Sequence, residues 1–131
     1  MKILLLLAFV FTVAACNRSD EALQTAQSFA DQHYVRIDLK AAKEFTTGLA
    51  TKKIEEEEGL VAGLSADEEN TKPRVHYSLL ERRPEGDDRV SFLFQGEARG
   101  QDAGDVFTRK WLVTVRRSDG VWKVSNFHEY D

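Results

Sequence analysis

The hydrophobic pattern of this 131-residue chain changes its period at Pro73. Before this proline, apolar residues recur every three or four positions, which is typical of amphipathic helices. After it they alternate with polar residues, which is typical of strands with one buried face. Helices followed by strands predict an α+β fold, in which N-terminal helices pack on a curved four-stranded antiparallel sheet.

The first half of the chain contains three helical segments. The first is predicted from Asp20 to Ile37, with Ser19 or Asp20 as its N-cap. Its buried face is expected to contain these residues: Leu23, Ala26, Phe29, Ala30, His33 and Ile37. Asp38 is placed to cap a second helix, which ends at Thr46-Thr47-Gly48.

The third helix is predicted over residues 50–62, with Ile54, Val61 and Leu64 facing inward and four consecutive glutamates at 55–58. Successive side chains of a helix point about 100° apart. The four carboxylates therefore cannot converge on one cation, and the spacing of a calcium loop is missing. A solvated helix face is the prediction for this run.

Four strands are predicted in the second half, at residues 74–83, 89–98, 106–117 and 121–130. Asp119-Gly120 between the last two favours a two-residue type I′ hairpin turn, which sets their register. Counting outward from this turn pairs Val115 with Val124, Trp111 with His128, and Arg109 with Tyr130 on the face that should pack against the helices. Leu112 and Phe127 fall on the other face, as an exposed apolar island.

This register brings Trp111, Asn126, His128 and Tyr130 together on the inner face of the sheet. Two large rings with amide, imidazole and phenol groups fit the wall of a pocket for an apolar molecule. The alternative is the end of a sheet whose polar groups reach water. The four residues are candidate pocket-lining residues.

His33 lies within the apolar stripe of the first helix, and Tyr34 adjoins the edge of that stripe. Both are further candidates for the pocket wall. A buried histidine transfers protons when a carboxylate or tyrosine tunes it, or it is a core residue that donates one hydrogen bond. Asp38 could likewise be an acidic base, but its position before a helix favours a cap.

No residue is assigned a catalytic role. The three histidines lack the spacing of metal ligands, and no serine lies in a Gly-x-Ser-x-Gly context. No metal or cofactor is therefore predicted.

The first fifteen residues have the layout of a signal peptide. Lys2 precedes an apolar run from Ile3 to Ala15, which is too short to cross a bilayer as a helix. The run ends in Val13-Ala14-Ala15-Cys16, which resembles the lipobox of bacterial lipoproteins. The resemblance implies cleavage between Ala15 and Cys16 and attachment of diacylglycerol to the Cys16 thiol.

The expected organisation is a signal peptide at 1–15, a lipidated tether at 16–19 and a single domain at 20–131. Cys16 is the one cysteine of the chain, and acyl chains on it would hold the protein to a membrane. Residue 17 is asparagine, not the aspartate that retains such proteins in the inner membrane of enteric bacteria. The resemblance therefore implies a periplasm-facing protein of the cell envelope, with the outer membrane favoured.

The charge balance argues against a nucleic-acid partner. The mature chain carries 17 basic and 22 acidic residues, and the sequence contains no run of basic residues. Binding to nucleic acid depends on Lys and Arg that neutralise phosphates. The same balance gives the domain little attraction to anionic lipid, which leaves attachment to the acyl chains.

The order of the elements resembles the cystatin-like, nuclear-transport-factor-2-like superfamily. The resemblance rests on the pattern Ala26-Gln-Ser-Phe29-Ala-Asp-Gln-His-Tyr34, the break at Asp38, the Ala-rich helix that ends in Phe45 and the strand Gly120-Val-Trp122-Lys-Val124. It implies a cone of helices and sheet whose open end holds a ligand, an active site or nothing.

Three functions remain open from the sequence. The leading hypothesis is a non-catalytic domain that binds a small apolar ligand or an envelope protein. The second is a small acid–base enzyme that uses His33 or His128 in the cone mouth. The third is a structural partner in an envelope assembly, with the exposed sheet face as its contact surface.

Overall fold

A computed structural model describes residues 17–62, 74–100 and 105–130 of the chain. The predicted signal peptide, Cys16 and Leu64 lie outside these ranges. In the described part, no helix has the length and apolar character needed to span a membrane.

The described residues form three α-helices followed by an antiparallel meander with the strand order β1-β2-β3-β4. A single π-helical turn, Asp31–Val35, continues the first helix. The bounds are α1 Asn17–Ala30, α2 Leu39–Lys43, α3 Gly48–Val61, β1 Arg74–Pro84, β2 Arg89–Arg99, β3 Val106–Ser118 and β4 Val121–Tyr130. The predicted fold class is confirmed, and each strand lies within one residue of its predicted bounds.

Helix α1 differs from its prediction at both ends. Its described part starts at Asn17, so residues 17–19, assigned to a tether, are helical, and Ser19 and Asp20 lie inside the helix and are not N-caps. At the other end, the amide of Arg36 donates to the carbonyl of Asp31 at 2.9 Å, the wider spacing of a π turn. Ile37 then has a φ of 55° and is exposed, so its prediction as a buried residue is wrong.

The π turn buries two consecutive side chains. His33 is 6% exposed and Tyr34 is 9% exposed, although neighbours in an α-helix point about 100° apart. The extra residue in the turn changes the direction of the side chains that follow it. The tyrosine, predicted at the edge of the stripe, is therefore part of the core.

Helices α2 and α3 follow the sequence more closely. The Asp38 carboxylate accepts a hydrogen bond of 3.1 Å from the amide of Ala41, which confirms Asp38 as the cap of α2. Ile54 of α3 is fully buried, as predicted. Val61 is exposed, contrary to the prediction, because the last turn of α3 from Gly59 onward lies outside the core.

The predicted β3–β4 register is correct only near the turn. Val115 pairs with Val124 as expected, but a bulge follows, and Thr114 pairs with Asn126 instead of Ser125. Beyond it every pair is displaced by one residue, so Trp111 lies opposite Glu129 instead of His128. A displacement of one residue moves side chains to the other face of a sheet.

The bulge moves Phe127 into the core. Phe127 is 5% exposed and pairs with the fully buried Val113, so the predicted surface island of Leu112 and Phe127 is wrong. Conversely, Asn126, His128 and Tyr130 share the outer face of the sheet with Leu112. The concave inner face and the helices enclose a core rich in aromatic rings: Phe29, Tyr34, Phe92, Phe94, Trp111, Trp122 and Phe127.

Candidate functional site

The inner face of the sheet contains a pocket of about 270 Å³ at the end distant from the Asp119-Gly120 turn. Its lining comes from the π turn and from all four strands: Tyr34, Val75, Gly96, Ala98, Phe107, Arg109, Trp111 and Glu129. We call it the inner pocket. Its wall is aromatic and aliphatic, apart from one ion pair between Arg109 and Glu129 at 3.5 Å.

Two stacked rings form one side of the inner pocket. The rings of Tyr34 and Trp111 lie 4.0 Å apart at their centroids with an interplanar angle of 5°. The indole also lies over Gly96, where a Cβ atom would be 2.3 Å from Trp111 Cζ2. A residue without a side chain at position 96 is therefore required for this ring position.

Tyr34, a residue of the inner-pocket lining, has a hydroxyl that is closed off from solvent. Its hydroxyl is buried and has no hydrogen-bond partner among the described residues. Burial raises the pKa of Tyr34 far above its usual value, and the negative charges of Glu129 and Glu57 raise it further. Tyr34 therefore stays protonated at physiological pH, with its hydroxyl closed off from solvent.

Replacing Tyr34 with phenylalanine is expected to raise the free energy of unfolding at neutral pH by about 1 kcal/mol, because a buried hydroxyl without a partner is lost and the stack remains. The pKa of Tyr34 is about 10 in the unfolded chain and higher in the fold. As the pH rises above about 10, the unfolded state gains stability by ionising this phenol, so the free energy of unfolding of the wild type falls. Urea unfolding should therefore show that the free energy of unfolding falls less between pH 7 and pH 10.5 in Tyr34→Phe than in the wild type. An equal loss in both proteins would contradict the burial of this phenol.

Tyr77 holds strand β1 to the π turn beside the pocket. Its hydroxyl donates to Asp31 Oδ1 at 2.6 Å, and its ring lies 5.7 Å from that of Trp111. Burial raises the pKa of Tyr77, and the hydrogen bond to Asp31 adds to the rise. This contact fixes the position of the turn that carries Tyr34.

His33 faces the core next to the pocket and is not part of its lining. Its Nε2 donates to Glu57 Oε2 at 2.7 Å, and its ring stacks on Phe29 at 5.2 Å with an interplanar angle of 11°. Glu57 therefore has a partner, and so does Glu58, which pairs with Lys43 at 2.7 Å. Glu55 and Glu56 are exposed, as predicted, whereas Glu57 and Glu58 are partly exposed and each has a basic partner.

The candidate residues from the sequence divide between two faces of the sheet. Tyr34 and Trp111 line the inner pocket. Asn126, His128 and Tyr130 lie on the outer face, where Asn126 Nδ2 and His128 Nε2 are 3.0 Å apart. Lys53 of α3 reaches around the sheet edge and donates to Asn126 Oδ1 at 2.7 Å.

Several lining residues were missed from the sequence: Val75, Gly96, Ala98, Phe107, Arg109 and Glu129. The predicted register places Arg109 on the inner face, but opposite Tyr130. With the bulge included, the Trp111–Glu129 pair brings Glu129 close to Arg109, one step along the same face. Among the described residues, no cluster of histidine, cysteine or acidic side chains could hold a metal ion.

Comparisons with known proteins identify the fold. No family model matches the sequence, and no curated protein matches it. Solved structures do match. An NTF-2 like protein of unknown function from Shewanella oneidensis MR-1 has a TM-score of 0.63 at 11% identity, with 86% of this chain and 98% of that chain covered.

Two further structures bear enzyme-related names. A ketosteroid isomerase-like protein from Erwinia carotovora atroseptica SCRI1043 has a TM-score of 0.63 at 14% identity, covering 87% of this chain and 95% of the other. A hexachlorocyclohexane dehydrochlorinase, LinA-type3, from Novosphingobium barchaimii LL02 has a TM-score of 0.57 at 15% identity, with coverages of 86% and 85%. The chain therefore has the nuclear-transport-factor-2-like fold expected from its order of elements.

Proposed function

We propose that this chain is a lipid-anchored protein of the bacterial envelope whose domain binds a small, largely apolar molecule in the inner pocket. The observation that carries the binding proposal is the composition of the pocket wall. Stacked aromatic rings and aliphatic side chains line the space, and the ion pair of Arg109 and Glu129 supplies its polar groups. Small-molecule sites combine an apolar wall with a few polar groups in this way.

The size of the inner pocket limits its ligand. A volume of about 270 Å³ lies at the lower end of ligand sites, which span roughly 300–1,000 Å³. A dry apolar cavity of about 150 Å³ already accepts benzene. The ligand class is accordingly a molecule with one or two rings, or an aliphatic molecule of similar volume.

The geometry favours binding over acid–base catalysis by the two histidines named above. His33 packs against Phe29 and Phe127 outside the pocket lining, and His128 is on the opposite face of the sheet. A general base must come within hydrogen-bond reach of its substrate. Glu129 is the carboxylate in the lining, and Arg109 pairs with it.

Filling the pocket tests the binding proposal. Ala98→Leu adds a branched aliphatic group to the lining, so we expect it to weaken binding of indole at least about tenfold, measured by ligand-observed NMR on the full-length protein in detergent. The matched control is Ala62→Leu, since Ala62 is exposed at the end of α3. Equal indole binding by all three proteins would contradict the proposed site.

The envelope location is supported by the N-terminal sequence. The N-terminus matches the layout of a lipoprotein signal, with Lys2, an apolar run to Ala15 and the lipobox Val13-Ala14-Ala15-Cys16. Asn17, the residue after Cys16 in the sequence, is already helical, so acyl chains on Cys16 would hold the domain close to the bilayer. Asn17 favours the outer membrane, with the domain facing the periplasm.

Labelling with fatty acid tests the anchor. Cells that make the wild-type protein are grown with radiolabelled palmitate, and the protein should incorporate the label. Cys16→Ala should incorporate none, because no other cysteine is present. Ser19→Ala is a suitable control that leaves the lipobox intact. Equal labelling of wild type and Cys16→Ala, or none in either, would contradict the proposed attachment.

A further inference from the structure

The outer face of the sheet is basic, although the chain as a whole has a net charge of −4. The strand register assigns two acidic side chains, Glu81 and Glu97, to this face. The same register assigns seven basic side chains to it: Arg74, Arg83, Arg89, Arg99, Lys110, Arg116 and Lys123. A positive surface therefore covers one side of an acidic protein.

Basic side chains lie directly opposite each other on neighbouring strands. Arg74 pairs with Arg99, and Arg116 lies between Arg89 on β2 and Lys123 on β4. Like charges at directly opposite positions destabilise a sheet. Arg89 forms an ion pair with Glu85 at 3.6 Å, which offsets its positive charge. Among the described residues, no carboxylate pairs with Arg116. Lys123 Nζ donates to the carbonyl oxygen of Glu44 at 2.6 Å, so Arg116 is the member of this row without a described partner. Its guanidinium is available to an anion from outside the chain.

A groove of about 320 Å³ lies in the middle of this basic face. Leu93 and Leu112 form its apolar part, and Tyr130 closes one side. Arg83 and Lys110 flank the groove, with Glu81 paired to Arg83 at 3.0 Å. The surface thus combines an apolar depression with positive charge around it.

We propose that the outer face docks an acidic segment of a protein partner, with one apolar side chain inserted between Leu93 and Leu112. The positive charges match carboxylates on the segment, and complementary charge promotes encounter and sets orientation. The groove favours a polypeptide over a bilayer surface, because lipid headgroups offer no projecting apolar side chain. It favours a polypeptide over single-stranded nucleic acid, because successive bases need several aromatic rings and the groove has only Tyr130.

The test uses the full-length protein in detergent and a peptide in which a central leucine is flanked by three glutamates on each side. We expect the peptide to bind at low salt, and binding to weaken as salt screens the charges. Lys110→Glu should weaken it at least about tenfold. Leu112→Ser should weaken it without changing its salt dependence. Lys52→Glu, an exposed change on α3, is the matched control and should have no effect.

Three results would overturn the proposal. They are no binding of the acidic peptide to the wild type, an equal loss of peptide binding in Lys52→Glu and Lys110→Glu, or tighter binding to phosphatidylglycerol vesicles or duplex DNA than to the peptide.

A variant that leaves the fold intact gives a further check. Arg116→Thr should raise the urea midpoint, since it removes like charges opposite Arg89 and Lys123, and should also weaken peptide binding. A lower midpoint, or unchanged peptide binding, would contradict the role given to this charge.

Discussion

Replacing Gly96 with alanine is expected to lower the free energy of unfolding by about 3 kcal/mol, as overpacking of a filled site does. A Cβ atom at this position would lie 2.3 Å from Trp111 Cζ2 and 2.5 Å from Cη2. The indole is 5% exposed and stacked on Tyr34, so it can move away only by giving up that stack. The same movement would occupy the inner pocket and remove its ligand site.

Gly59→Ala is the matched control for this substitution. Gly59 lies in α3 with nothing within 4 Å of the added methyl group, so the change should raise the free energy of unfolding by about 0.5–1 kcal/mol. Urea unfolding followed by circular dichroism measures both. Similar stability of Gly96→Ala and wild type would contradict the position of Trp111.

Phe127→Ala is expected to lower the free energy of unfolding by about 3–5 kcal/mol, the usual cost of removing a buried phenylalanine. The ring of Phe127 lies 5.1 Å from Phe29 and 4.9 Å from His33, and Lys53 Nζ lies 5.3 Å from its centroid. Its truncation would leave a cavity between the sheet and the π turn.

The neighbouring His128→Ala should change the free energy of unfolding by no more than about 0.5 kcal/mol, because His128 is exposed on the outer face. Urea unfolding of the two variants therefore reports the β3–β4 register directly. In an uninterrupted hairpin the order would be reversed, with His128 inside and Phe127 outside. A larger loss for His128→Ala would contradict the bulge.

The strands could be predicted from the sequence because their alternation and turns are local. The bulge at Ser125 of β4 cannot be predicted from the turn, although the apolar positions of this strand contain a signal for it. Trp122 and Val124 are two residues apart, but the next buried residue, Phe127, is three residues further on. This break in the period of two indicates an extra residue on β4.

The inner pocket depended on contacts between distant parts of the chain. The sequence marks Tyr34 as a candidate at the edge of the helical stripe, but its burial depends on the π turn, which no local pattern predicts. Glu57 reaches His33 across 24 positions of sequence, and only the packing of α3 against the rest of the domain brings them together. The net charge of the chain does not predict the basic outer face, because it adds the charges on both faces of every strand.

Native mass spectrometry tests most directly the claim that the inner pocket holds a small molecule. The full-length protein would be extracted in detergent from its own host and released from the micelle in the spectrometer. We predict that the wild type retains a small molecule at a stoichiometry of about one, and that Ala98→Leu, made in the same host, retains none because its side chain fills the site. A wild-type protein without any retained molecule, or the same molecule retained by Ala98→Leu, would contradict the account.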